Sequence, residues 1–129
     1  MKENRKGLGM GLDLLLKASS HENAGRDKSD IVLARAWFQE AWEREDHENA
    51  LEAYYYYRRI VDLWPGEAFK NDAEKAKLLS QSLNNAAVIL FEYGYADSAR
   101  QYLERAVQID SQNETAIENL KVISDENNG

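Results

Sequence analysis

The 129-residue chain has no cysteine and a single proline, Pro65. The missing cysteines exclude disulfides, thiolate metal sites and a cysteine nucleophile, and a reducing, cytoplasmic setting needs no crosslinks. Glycine is scarce beyond Gly25, with only Gly66, Gly94 and the terminal Gly129. So few backbone breakers, with no run of β-branched alternation, imply helices joined by short turns, an all-α fold. Long apolar runs are also missing. The longest, Ala86 to Phe91, falls far short of the ~20 residues of a spanning helix, so no membrane segment is expected. Positive charge is in deficit: 16 Lys and Arg against 23 Asp and Glu give a net charge of −7. A nucleic-acid partner, which demands a cationic face, is therefore not expected.

The catalytic inventory is equally thin. His21 and His47 are the only histidines, HExxH is absent, and no serine sits in a nucleophile motif. Three or four converging ligands, which a zinc site needs, are missing. Carboxylates alternate with Lys and Arg, as in Glu74-Lys75 and Glu104-Arg105, which is the pattern of solvated helix faces. The expectation is a protein with no catalytic residues, cofactor or metal.

What is present is periodicity. Residues 1–29 read as an arm, with basic Lys2, Arg5 and Lys6, a short amphipathic Gly-Leu-Asp-Leu-Leu-Leu stretch and a polar linker. From Asp30, capped by Ser29 or Asp30, a first helix carries Ile31, Ala34, Trp37, Phe38, Ala41 and Trp42 at spacings of three and four, one buried stripe. A second helix runs from about Glu48 to Trp64 with Ala50, Ala53, Tyr54, Tyr57, Ile60 and Val61 inward, and Pro65-Gly66 stops it. A third starts near Asn71 or Asp72 and reaches Tyr93, with Ala76, Leu79, Leu83, Ala86, Ala87 and Leu90 apolar and Gly94 as the break. The fourth spans Ala96 or Asp97 to Ile109 around Ala99, Leu103, Ala106 and Val107. The fifth spans Glu114 to about Ser124 around Ile117, Leu120 and Val122 or Ile123, and 125–129 reads as a polar frayed tail.

Ser80 to Asn113 forms one repeat unit, SQSLNNAAVILFEYGYADSARQYLERAVQIDSQN, with small residues at Ala87, Ala99 and Ala106, large ones at Leu83, Leu90 and Leu103, and Gly94 between its helices. It resembles the tetratricopeptide repeat (TPR), in which small residues let two antiparallel helices approach closely. Ala87 stands where that family often has glycine, Leu83 where it has tryptophan and Ser111 where it has proline. Glu45 to Ala50 resembles the turn leading into the second helix of another, looser such repeat, with Ala50 matched to Ala99 and Tyr54 to Leu103. These pairs are farther apart than one repeat unit is long, and the surplus is expected in a longer second helix and an extended start of the third. This layout over residues 31 to 124 is similar to the TPR domain of the large immunophilins. The resemblance implies a short superhelix of about two repeats in 30–124, closed by a capping helix.

That resemblance implies an adaptor or scaffold binding a peptide or helix of a partner protein in a concave groove lined by Arg35, Gln39, Trp42, Asn84, Asn85, Val88, Phe91, Thr115 and Asn119. In the co-chaperone branch of the family a basic cluster grips a terminal carboxylate. Arg35, Gln39 and Asn85 match part of it, whereas Thr115 and Asn119 replace its late cations. Two other functions follow from other features. Arg5 to Leu16 resembles the N-terminal tail of ParB chromosome-partition proteins, which implies regulation of a ParA-type ATPase, although Met10 stands where that family has a basic residue. The Tyr54–Tyr57 run covers too much of a helix face to be wholly buried, and a stack of two hairpins leaves open ends, so a self-assembling structural subunit, a homo-oligomer, is the third.

Overall fold

The computed structural model describes residues 26–67 and 69–128. The ParB-like stretch, Arg5 to Leu16, lies outside the described residues. Five helices account for the fold: α1 (Arg26–Asp46), α2 (Ala50–Leu63), α3 (Ala73–Glu92), α4 (Ala96–Ile109) and α5 (Glu114–Asn128). Among the described residues there is no strand and no helix long and apolar enough to cross a membrane. The all-α reading therefore holds, and the packing of successive helices is compatible with a helical repeat.

The helix ends follow from local chemistry. Asp72 caps α3 by accepting hydrogen bonds from the backbone N–H groups of Glu74 and Lys75, both at 3.1 Å. Asn113 caps α5 through the N–H of Ala116 at 3.1 Å. Trp64, next to Pro65, adopts an extended φ of −122° and ends α2. Gly94 takes φ +93° in the turn after α3, a left-handed geometry that suits glycine. Glu48 occupies the matching turn after α1 at φ +60°, without glycine's freedom. Two expected boundaries move. Ser29 and Asp30 lie inside α1 and do not cap it, because the helix already runs from Arg26. The C-terminal residues expected to fray continue α5 to Asn128.

Cross-helix pairs fix the directions. Arg44 meets Glu52 near the first turn and Arg59 stacks over Trp37 farther back, so α1 and α2 are antiparallel. Ser80 donates to the Ala106 carbonyl at 2.7 Å, tying α3 to α4 across the short turn between them. Ser80 and Asn84 meet Asn113 and Asn119 in the same order, so α3 and α5 run parallel. Helix α3 touches both α1 and α5, while α2 and α4 make no direct backbone approach among the described residues. The result is an inner layer of α1, α3 and α5 and an outer layer of α2 and α4.

The register differs from the sequence reading. Ala34, Ala41, Ala53, Tyr57 and Ile60, all fully buried, correspond at one fixed offset along the chain to the equally buried Ser80, Ala87, Ala99, Leu103 and Ala106. Ala53, not Ala50, is thus the mate of Ala99, and Tyr57, not Tyr54, that of Leu103. A slip from one to the other keeps nearly the same helix face, which is why spacing alone did not separate the two alignments. Helices α2 and α4 are both 14 residues long, so the second helix is not extended. The surplus lies in the longer connection after Trp64 and in the start of α3. Between α3 and α5 the offset is shorter, with buried Ser82 and Ile89 matched by Ala116 and Ile123. Trp42, expected in the buried stripe, is 64% exposed, because the α1 seam runs through Ala34 and Ala41 beside it.

Candidate protein-interaction face

Among the described residues, two hollows bear on the inner layer. The smaller, about 190 Å³, is lined by Phe38 of α1, Gln81, Asn84 and Asn85 of α3, and Asn113 and Thr115 at the start of α5. Side chains from all three inner helices therefore share one concavity. It exceeds several-fold the ~30 Å³ that one water occupies in the liquid. The second, about 480 Å³, lies at the C-terminal end of α1 and is lined by Gln39, Trp42, Glu43, Glu45 and Asp46.

A directed chain of hydrogen bonds braces this face from below. Asn119 Nδ2 donates to Asn84 Oδ1 at 2.9 Å, and Asn84 Nδ2 to Asn85 Oδ1 at 3.1 Å. Asn85 Nδ2 then donates to the Tyr57 hydroxyl at 3.1 Å, and that hydroxyl donates to Glu45 Oε1 at 2.5 Å. The relay runs from α5 through α3 and α2 to α1. Burial pushes the Tyr57 phenol well above its ordinary pKa, and the Glu45 carboxylate pushes it further. Tyr57 therefore stays a neutral donor, and Glu45 is held in place as the acceptor that terminates the chain. Buried polar groups linked in this way specify one arrangement of the helices, because each loses its partner if any helix shifts.

The sequence-derived groove residues divide. Asn84, Asn85, Thr115 and Asn119 come together around the smaller hollow or its supporting relay. Gln39 and Trp42 sit at the larger one, where Gln39 Nε2 reaches Glu43 at 3.3 Å. Val88 and Phe91 are half-buried on α3. Arg35 is elsewhere: it forms an ion pair with Glu74 at the start of α3. It therefore ties α1 to α3, and the cation assigned to a carboxylate clamp is already engaged. Sequence reasoning missed Phe38, Gln81, Asn113, Tyr57 and Glu45. The register that pairs Ala53 with Ala99 would have pointed to the first, since it makes Phe38 the counterpart of Asn84.

A different chemistry occupies the outer flank of α2. Arg59 lies over the Trp37 and Tyr56 rings at 5.7 and 5.4 Å, Arg44 over Tyr56 at 5.9 Å and Arg58 over Tyr54 at 6.0 Å. Leu51 and Tyr55, one turn apart, are exposed. Among the described residues no group of three His, Cys, Asp or Glu is arranged to hold a metal ion.

No family model matches the chain, and neither a curated protein nor a solved structure matches it.

Proposed function

We propose that this chain is a protein-interaction module of the tetratricopeptide-repeat type, whose inner face receives a peptide or helix of a partner protein. One observation carries the reading: α1, α3 and α5 lie side by side, and Phe38, Asn84 and Thr115 line a single concavity. Stacked hairpins of this kind leave their inner helices without a covering layer, and an extended concave surface is what such arrays use for binding. The function is adaptor or scaffold, working by shape fit and apolar burial, with Gln81 and Thr115 offering polar contacts for orientation. Arg35 pairs with Glu74 at the start of α3 and is left out of this reading.

Site-specific photo-crosslinking tests it. A photoreactive phenylalanine analogue at Trp42, Val88 or Val122 is expected to capture a foreign polypeptide, whereas the same analogue at Tyr93 or Tyr95 is not. Capture from Tyr93 and Tyr95 alone would refute the assignment of the inner face.

The exposed Leu51–Tyr55 pair favours a second reading, contact between copies of the chain through α2. Open hollows of about 470 and 500 Å³ flank Tyr55 and are lined by Arg44, Arg58 and Arg59. Tyr and Arg side chains are over-represented at the centres of interfaces. Sedimentation across a concentration range decides it: a monomer at every concentration removes this reading.

A further inference from the structure

We infer that the segment received by the inner face is cationic: a Lys- or Arg-bearing amphipathic peptide whose apolar side lies on Trp42, Val88 and Val122. This rests on the interaction-module reading and adds the chemistry of the partner.

The apolar strip comes from the register. Trp42, Val88 and Val122 hold equivalent places in α1, α3 and α5, separated by the same two chain offsets that relate the buried positions. Trp42 and Val122 are 64% and 49% exposed and Val88 is half-buried, so the strip crosses all three inner helices and reaches solvent. Trp42 presents an indole ring in the open, the aromatic surface on which an ammonium or guanidinium group binds best.

The charge around that strip has one sign. Glu43, Glu45 and Asp46 line the hollow with Trp42. Glu92 follows Val88 by one turn, and Asp125 follows Val122 at nearly the same spacing. None of these five carboxylates has an ion-pair partner among the described residues. The nearby cations are engaged elsewhere: Arg35 with Glu74, Arg44 with Glu40 and Glu52, Lys121 with Glu118. Parallel α1, α3 and α5 also bring their C-terminal ends, each the negative pole of a helix, to one edge of the face. The carboxylates do not converge as a metal cluster, so their charge is spread along a rim. A distributed acidic rim around an apolar strip is complementary to several long, flexible basic side chains on one side of a peptide. An anionic tail would meet repulsion at every one of these groups.

The test titrates the full chain with two synthetic amphipathic peptides of identical leucine pattern, one with Lys and one with Glu at its polar positions. Binding is read by anisotropy of a dye on the peptide. The Lys peptide is expected to bind and the Glu peptide not. Trp42→Ala, and separately Glu43→Lys combined with Asp46→Lys, are each expected to weaken the Lys peptide about tenfold or more. Asp97→Lys combined with Glu104→Lys, on the exposed side of α4, changes net charge equally and is expected to leave affinity within about twofold. Val122→Ser repeats the apolar test should Trp42→Ala lose helicity. Equal losses from both charge pairs would overturn the proposal, since net charge alone would then explain binding. Preference for the Glu peptide, lost in Trp42→Ala, would overturn the cationic partner but keep the inner face. If neither peptide responds to Trp42→Ala or Val122→Ser, the inner-face reading fails as well.

Discussion

Where the hairpin α3–α4 buries Leu103, the hairpin α1–α2 buries Tyr57, and the substitution spreads outward from there. Leu83 is matched by Trp37, Ala86 by Glu40, Leu90 by Arg44 and Gly94 by Glu48. The second hairpin is packed mainly with alanine and leucine, and its buried polar side chains on α3 include Ser80, Ser82 and Asn84. The first is packed with aromatic rings, arginines and a Glu40 that is 8% exposed. Burial raises the Glu40 pKa against the opposing pull of Arg44, 3.2 Å away. The buried side-chain polar atoms without a well-aligned hydrogen bond, among the described residues, also belong to the first hairpin: Trp37 Nε1, Glu40 Oε1, Arg44 Nε, Arg58 Nε and Trp64 Nε1. For Glu40 and Arg44 the ion pairs compensate in part. The backbone of a helical hairpin thus needs only small residues at its closest approaches, here Ala41 and Ala53 or Ala87 and Ala99. What fills the remaining volume decides how sensitive the hairpin is to polar chemistry.

The comparison breaks most visibly in the apolar hairpin. Leu103→Ala is expected to cost about 2–5 kcal/mol in urea unfolding, by lost burial and an unfilled cavity. Leu103→Tyr imports the first hairpin's residue without its partner, because the counterpart of Glu45 is Phe91. It is expected to destabilise by about 1–3 kcal/mol, through overpacking and an unsatisfied hydroxyl. If Leu103→Tyr were neutral, the two interiors would be interchangeable and the comparison empty. Tyr57→Phe is the reciprocal change. It conserves volume, removes the hydroxyl that links Asn85 to Glu45, and is expected to cost about 1–3 kcal/mol. Loss of the relay is also expected to move the Asn84 and Asn119 side-chain amide resonances by NMR, a change that a local packing defect at α1–α2 would not produce.

That relay marks the limit of what the sequence disclosed. The helices were legible because their punctuation is strong: Asp72, Pro65 and Gly94 each act within a few residues of the boundary they set. The Ala99, Leu103 and Ala106 seam was legible as well, and all three are fully buried. The relay was not, since Tyr57 and Asn85 are 28 residues apart and Asn84 and Asn119 are 35 apart. Only the stacking order brings them together. The turn at Glu48 was hidden for the opposite reason: the left-handed residue there is not glycine, so the local signal was missing. Trp42 looked buried because it lies one turn after Phe38, yet the seam of α1 turns on Ala41.

Alkaline titration sharpens the comparison through one tyrosine of each hairpin, Tyr57 on α2 and Tyr102 on α4. Burial, followed by the Tyr54 hydroxyl, pushes Tyr102 up to about 12, while burial and Glu45 push Tyr57 higher still. An unfolded tyrosine loses its proton near pH 10. Above that pH the unfolded chain releases protons that the folded chain retains, so unfolding becomes more favourable as pH rises. The stability these phenols contribute is intact below about pH 10 and is lost on the way to about pH 12 and beyond. Thermal melts are expected to hold steady to about pH 9 and then fall, with a shallower fall in Tyr57→Phe. Equal slopes for wild type and variant would show that Tyr57 is not kept neutral by its surroundings.

The smallest effect concerns the two turns themselves. Glu48 and Gly94 both sit in left-handed geometry, φ +60° and +93°, one with a side chain and one without. A Cβ built at Gly94 meets no atom within 4 Å, so any penalty for adding one is conformational and not steric. A left-handed residue bearing a Cβ costs roughly 1–2 kcal/mol relative to glycine, less the entropy glycine surrenders on folding. Gly94→Ala is therefore expected to destabilise by about 1 kcal/mol, and Glu48→Gly to stabilise by about the same amount or slightly less. The side chain of Glu48 is exposed and makes no ion pair among the described residues, so its removal subtracts no contact. Paired in one protein, the two substitutions are expected to leave the unfolding midpoint nearly unchanged, because the turns lie in different hairpins and share no partner. A Glu48→Gly variant that lost stability would mean that the first turn is not under strain, and that the hairpins differ in their backbones as well as in their fillings.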